Sequence, residues 1–251
     1  MSYPVKVSIV MPLYNAEPYF RETVATVLAQ SYRDWELIVI DDCSTDGSGK
    51  HALELSQVES RIIYLRNLVN CGVAVSRNIG LDRACGRFVA FLDSDDQWEP
   101  DKLERQVEFA LRGARPITYC SYARISEAGK LLGIVRPKEK VRYSDMLFRN
   151  HIGNLTAMYD RSLLPDLRFA SVGHEDYIFW IEALTRVDSA ELVPSGTPLA
   201  KYLVRKSSLS GNKLKAAKWQ WLNYRRNIGF GFFKSAFYFS CYAFYSVLRK
   251  I

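Results

Sequence analysis

The chain has 251 residues, of which 34 are Lys or Arg and 27 are Asp or Glu, for a formal charge of +7. A hydrophobic fraction of 48% with 24% charged residues describes a globular chain long enough to bury a sizeable core. It excludes global disorder, a collagen-like repeat and a polytopic membrane protein. The charge is uneven: residues 192–251 contain no acid and eleven bases, leaving 23 bases against 27 acids, a net −4, in the first 191 residues. The five cysteines (Cys43, Cys71, Cys85, Cys120 and Cys241) are odd in number, widely spaced and without a C-x-x-C pair. They read as reduced thiols of a cytosolic protein. Met1–Lys6 carries neither an apolar signal core nor a cleavage site, so the body is expected to stay on the side of the membrane where it is made.

In chain order, Val5–Leu13 (VKVSIVMPL) reads as a buried strand ending at Pro12 and Asn15, and Tyr19–Gln30 as an amphipathic helix. Glu36–Ile40 (ELIVI) is a second buried strand, closed by Asp41-Asp42. Ser44, Thr45 and Asp46 offer N-cap chemistry to a helix over 48–58. Arg61–Arg66 is a third strand, and Gly72 leads into a helix over 73–84. Phe88–Leu92 (FVAFL) is a fourth strand ending in Asp93-Ser94-Asp95-Asp96, and a helix from Pro100 to Leu111 follows. Taken alone, this alternation calls for a parallel sheet with helices on both faces. Ligands of such sheets bind beyond the carboxyl ends of the strands, where Pro12–Asn15, Asp41-Asp42 and Asp93–Asp96 all lie. After Ala114 the pattern loosens: a strand over 117–125, a short helix over 144–150, a strand over 155–159, a helix over 175–186 and a last strand over 200–204.

Carboxylates crowded at a strand end repel one another, so a cation is expected among Asp93–Asp96. A hard divalent ion suits oxygen ligands, and a nucleoside diphosphate would complete its shell. The competing reading is a turn and helix cap, and capping is the simpler account of Ser44 and Asp46. Asp42 can accept from a uracil N3–H or a ribose hydroxyl. Arg77 reads either as a surface or Asp-paired arginine or as a partner for the acidic cluster or for phosphate.

These segments together (VSIVMPLYNAEPYFRETVATVLAQSY, WELIVIDDCSTDGS, NCGVAVSRNIGLDRACGRFVAFLDSDDQWEPDKLERQ, HEDYIFWIEAL) resemble the family 2 glycosyltransferases. The likeness extends to bacterial enzymes that build teichuronic acid, capsule and O-antigen chains. The resemblance implies an α/β protein of the GT-A fold, with a Rossmann-like nucleotide-binding mixed sheet flanked by helices. It implies an inverting, metal-dependent transferase using a UDP-sugar and Mn2+ or Mg2+. By position it implies that Pro12, Tyr14 and Glu17 line the base and ribose pocket and that Asp42 binds uracil. Asp93 stands near ribose and metal, Asp95 is the metal ligand, and Asp176 is the general base. Arg77, Ser94 and Arg205 complete the expected nucleotide-sugar set. A Q-x-x-R-W motif of processive members is absent, which favours transfer of a single sugar. Lys201–Asn212 reads as a lid whose Arg205, Lys206 and Ser210 close on the diphosphate, or as an ordinary basic loop.

Residues 1–210 are expected to form the catalytic domain and 211–251 a helical extension. Twelve aromatic residues lie between Trp219 and Tyr245, and 235–248 carry no charge. That run falls short of the roughly 20 apolar residues of a bilayer span. It reads as amphipathic aromatic-basic helices on an anionic membrane surface, with nucleic acid excluded as partner. Packing on the catalytic domain or a homodimer interface is the alternative. The expected partners are a UDP-sugar and a polyprenyl-diphosphate-linked saccharide, and the expected location is the cytoplasmic side of a bacterial plasma membrane, as a peripheral protein. A sugar nucleotidyltransferase is the competing enzyme class, but VMPLYNAEPY is not a Gly-rich phosphate loop. A non-catalytic membrane adaptor would not need four intact site aspartates.

Overall fold

The computed structural model describes residues 6–205 and 213–248. Four parallel strands form its spine: β1 (Val7–Leu13), β2 (Trp35–Asp41), β3 (Ile62–Arg66) and β4 (Phe88–Phe91), in the order β3-β2-β1-β4. Every residue of β1, β2 and β4 is buried, as continuous apolar strands covered on both faces must be. Alternation along the strands divides the core. Val10, Ile38, Ile40, Val89 and Phe91 face α3 (Val73–Arg83), which follows α2 (Ser48–Val58), and α6 (Glu175–Arg186), which follows the short α5 (Tyr143–Met146). Val7, Ile9, Met11, Leu37, Val39 and Ala90 face α1 (Glu17–Leu28) and α4 (Lys102–Arg112). Each such fully buried large side chain stabilises the fold by about 1.5–3 kcal/mol. A Cβ on Gly80 of α3 would stand 2.4 Å from Val10 Cγ1, so only glycine lets α3 lie this close to the sheet. Arg77 rides one turn before it.

Beyond β4 the sheet is mixed. β10 (Met158–Asp160) runs antiparallel between β4 and β6 (Ile117–Tyr119). β11 (Ala190–Leu192) is parallel to β6, and β9 (Lys140–Val141) closes the edge antiparallel. Strand–helix alternation alone predicts a wholly parallel sheet. The antiparallel insertion of β10 corrects that, and it agrees with the mixed sheet implied by the resemblance. The single strand expected over 117–125 is two strands in different sheets, parted at the buried Cys120 and Ser121. β6 belongs to the large sheet. β7 (Tyr122–Ser126) joins a second sheet of order β5-β12-β7-β8, with β5 (Gln97–Trp98), β8 (Leu131–Val135) and β12 (Ala200–Val204). The strand expected over 155–159 begins only at Met158, because Asn154–Thr156 forms a 3-10 turn.

The extension consists of α7 (Lys213–Leu222), a π-helical turn (Asn223–Asn227) and α8 (Phe232–Leu248). It is docked on the body. Tyr224 is fully buried and its hydroxyl donates to Leu147 O at 2.7 Å. Tyr238 packs edge-on against Phe148, with ring centroids 5.1 Å apart. Phe232, Phe233, Phe237 and Phe244 stay exposed. No helix among the described residues is long and apolar enough to cross a membrane.

Candidate active site

The parallel register places Leu13 level with Asp41, Asp41 level with Arg66, and Phe91 level with Val10. The polar residues that follow each strand therefore meet at one edge. Pro12 is buried within β1, whereas Tyr14 just beyond it is 51% exposed. Glu17 accepts from Gly47 N–H at 3.0 Å, and its own N–H donates to Asp46 at 3.1 Å. Glu17 thus braces the loop after β1 to the loop after β2. Asp46 also accepts from Ser48 N–H at 2.9 Å, but the N-cap of the helix over 48–58 is Gly47, without a side-chain cap, and Ser44 Oγ accepts instead from Asn15 N–H at 3.2 Å, so neither Ser44 nor Asp46 is the N-cap expected from the sequence.

The two aspartates after β2 differ. Asp41 accepts from Ser44 N–H and the Tyr64 hydroxyl, each at 2.8 Å, and is structural. Asp42 Oδ1 accepts from Asn67 Nδ2 and Cys71 N–H, and its Oδ2 accepts from Gly72 N–H, all at 2.8 Å. Burial works to raise its pKa, but these donors outweigh it and hold the carboxylate below its ordinary range. A carboxylate has about four acceptor positions, so a site remains for one donor from a ligand. The loop 67–72 that supplies these donors turns through Gly72 at φ 85, a conformation suited to glycine.

Arg77 is 3% exposed and forks between two acids: one guanidinium nitrogen lies 2.7 Å from Asp93 Oδ1 and the other 2.7 Å from Glu175 Oε1. Burial disfavours its charge, and Asp93 and Glu175 more than offset that, raising its pKa. The end of β4 is thereby tied to the start of α6, 98 residues apart for the second pair. Arg77 is therefore not a surface arginine; its partners are Asp93 of the acidic cluster and Glu175.

Ser94 is buried, and its carbonyl accepts from Thr23 Oγ1 at 3.1 Å. Asp95 faces Arg205, whose Nε lies 2.8 Å from Oδ2. Burial, then the charge of Asp93, push the Asp95 carboxyl up to about 6 against the pull of Arg205. Asp96 is buried. Its Oδ1 accepts from Leu203 N–H at 2.9 Å, stitching the turn to β12, while Oδ2 lacks a hydrogen bond. Burial and the charges of Asp95 and Asp93 hold Asp96 well above the usual carboxylate range. β12 thus delivers Arg205, while Lys201 at its other end pairs with Glu99 at 2.9 Å. Lys206 and Ser210 lie outside the described residues.

Glu175 and Asp176 open α6. Burial and the neighbouring Glu175 charge push Asp176 up to about 6, with Arg77 and His174 pulling it down. His174 stands at φ 57, and its Nε2 lies 3.3 Å from Ala216 O on α7. Asp93 and Glu175 are linked through Arg77, while Asp95 pairs with Arg205. Among the described residues no three His, Cys, Asp or Glu form a metal cluster by themselves. The donor set still fits a hard cation: Asp95 and Asp93 present oxygen, their mutual repulsion is only partly relieved by Arg205, and phosphate oxygens would complete a shell. Sequence reasoning missed Asn67 and the 67–72 loop, although a polar residue after RIIYLR repeats the strand-end signal. It counted Asp96 in the acidic cluster but gave it no role of its own, because its partner is a backbone N–H that no pattern reveals.

The model of the family described as Glycosyl transferase family 2 matches residues 8–164. The chain belongs to glycosyltransferase family 2. This family 2 transferase is 37% identical to TuaG of Bacillus subtilis, a protein named for teichuronic acid biosynthesis, over 98% of this chain and 97% of that one. It is 40% identical to WfgD of Escherichia coli, named a UDP-Glc:alpha-D-GlcNAc-diphosphoundecaprenol beta-1,3-glucosyltransferase, over 86% and 83%. Among solved structures it resembles S. aureus TarS 1-349 in complex with UDP-GlcNAc (TM-score 0.71, 22% identity, 86% of this chain and 65% of that one). It also resembles the mannosyltransferase PcManGT of Pyrobaculum calidifontis in complex with GDP-Man and Mn2+ (TM-score 0.69, 19% identity, 92% and 66%). The fold is GT-A.

Proposed function

We propose that the protein transfers one sugar from a UDP-sugar to a hydroxyl of a lipid-linked saccharide, with inversion, in building a cell-surface polysaccharide. The observation that carries this reading is the Arg77 fork, which ties the Asp93–Asp95 turn to the acid pair Glu175–Asp176. One end of that link suits a nucleoside diphosphate and the other suits an attacking hydroxyl. The names of WfgD and of WfaP, a second Escherichia coli relative, support UDP-glucose and a diphosphate-linked lipid as the first substrates to test.

Asp42 receives the uracil N3–H or a ribose hydroxyl at its remaining acceptor position, beside Tyr14 and Pro12. A Mn2+ or Mg2+ ion held by Asp95, with Asp93 beside it, would supply charge stabilisation to the departing diphosphate. Arg205 exchanges Asp95 for a phosphate oxygen. Asp176 accepts the proton of the acceptor hydroxyl as its oxygen bonds to the anomeric carbon, and the bond from that carbon to phosphate oxygen breaks to release UDP. A base near 6 is ionised at neutral pH yet still takes up a proton as the bond forms. A peripheral position on the cytoplasmic face of the membrane that holds the acceptor is the reading that the exposed phenylalanines of α8 support.

Asp95→Asn and Asp176→Asn separate the two halves of the site. Each is expected to lower UDP release from UDP-glucose plus acceptor by at least about 10³-fold, the scale of general-base and electrostatic contributions. Asp176→Asn retains UDP binding by calorimetry. Full activity in either variant refutes that residue's role.

A further inference from the structure

We infer that Trp219, in the C-terminal extension, is a positioning residue of the active site: its indole clamps the Gly173–His174 turn from which Glu175 and Asp176 project. The inference rests on the reading of Asp176 as the base. Three contacts converge on that turn from one stretch of chain. A Cβ on Gly173 would stand 2.1 Å from Trp219 Cγ and Cδ2, so the indole fills the space a side chain would need. The rings of Trp219 and His174 meet edge to face, with centroids 5.5 Å apart. Asn223 Nδ2 donates to Gly173 O at 2.9 Å.

The turn needs such a clamp. His174 sits in the left-handed region, which is disfavoured for a residue with a Cβ. The N-cap of α6 has no side-chain hydrogen bond, so the usual device that fixes the start of a helix is missing. Apart from the Arg77 contact with Glu175, what holds the direction of the first turn, and with it the carboxylates, is packing from α7 and the π-helical turn after it. The nucleotide side is built otherwise: Asp42 is held by Asn67, Cys71 and Gly72, in the loop after β3. Loss of the indole should therefore slow the reaction while leaving UDP affinity intact.

The test uses the full chain as wild type, Trp219→Ala, Trp219→Phe and Asp176→Asn. It reads kcat and KM with UDP-glucose and a GlcNAc-diphospho-lipid, the Kd of UDP with Mn2+ by calorimetry, and amide hydrogen exchange by mass spectrometry. Trp219→Ala is expected to lower kcat at least tenfold with KM and Kd within twofold. It should speed exchange over residues 172–177 at least tenfold while residues 67–72 are unchanged. Trp219→Phe, which keeps a ring over Gly173, should recover kcat to within about threefold. Trp219→Leu, which keeps apolar bulk, takes the place of Trp219→Ala should the alanine variant melt before assay. Unchanged kcat and exchange overturn the inference, and so does a loss of UDP affinity equal to the loss of kcat. Activity in Asp176→Asn instead overturns the base reading. If wild type proves inactive on this pair, exchange at 172–177 alone decides whether Trp219 holds the turn.

Discussion

At the scale of single residues the site is a set of carboxylates in unlike surroundings. Asp42 accepts from three donors and is kept ionised, whereas burial and the Glu175 charge raise Asp176 to about 6. A base must be ionised to act, and its raised pKa means that this form is lost as pH falls through about 6. The transfer rate at saturating substrate and metal is expected to drop tenfold per unit below that pH, and to be flat above it until another group titrates. A pH–rate profile checks this, and a limb near 4 would remove the raised base. Arg77 carries a different load. A lysine there supplies a compact ammonium in place of a fork and cannot satisfy Asp93 and Glu175 together. Arg77→Lys is expected to cost about 3 kcal/mol of stability in a denaturant titration, the lower end for breaking a buried ion pair.

At the scale of elements, what the sequence revealed depended on period and punctuation. The helices over 48–58 and 175–186 and the strand over 200–204 appear where apolar spacing places them. The acid clusters mark the ends of β2 and β4 because charged residues interrupt each buried apolar run there. The hairpin of β7 and β8 was not legible. Leu131, Leu132 and Ile134 are exposed, so they follow no burial pattern, and the break between β6 and β7 occurs inside one apolar run. The antiparallel place of β10 is a matter of tertiary pairing that local pattern does not encode. β12 was legible as a strand, but its purpose was not: through Leu203 N–H and Asp96 it fixes Arg205 opposite Asp95. Arg205→Ala is expected to weaken UDP binding in the presence of Mn2+ about tenfold, the value of one charge-assisted hydrogen bond. Calorimetry measures it, and an unchanged Kd would leave Arg205 only its contact with Asp95.

At the scale of the molecule, the charge of +7 divides into an acidic body and a basic extension, yet the two are not separate in space. Tyr224 completes the core beside Leu147, and Asn223 and Trp219 reach the turn before α6. A boundary at 210/211 follows composition more than packing, and aromatic content alone could not say which rings face inward. The structure sorts them: Tyr224 is buried, while Phe232, Phe233 and Phe237 are exposed. Contiguous exposed aromatics beside Lys234 suit the headgroup level of a membrane. Replacing Phe232, Phe233 and Phe237 together by Ser is expected to lower cosedimentation with phosphatidylglycerol vesicles at least tenfold without changing UDP affinity. Equal binding would assign this face to another partner.

The central claim is sugar transfer from a UDP-sugar to a lipid-linked hydroxyl with inversion. It is tested most directly by incubating the full chain with UDP-[14C]glucose, Mn2+ and GlcNAc-diphospho-lipid and determining the anomeric configuration of the lipid-borne product by NMR. Because the donor is α-linked, a single in-line displacement predicts a β-linked glucose on the lipid. An α-linked product, or label released only as free glucose, would contradict it.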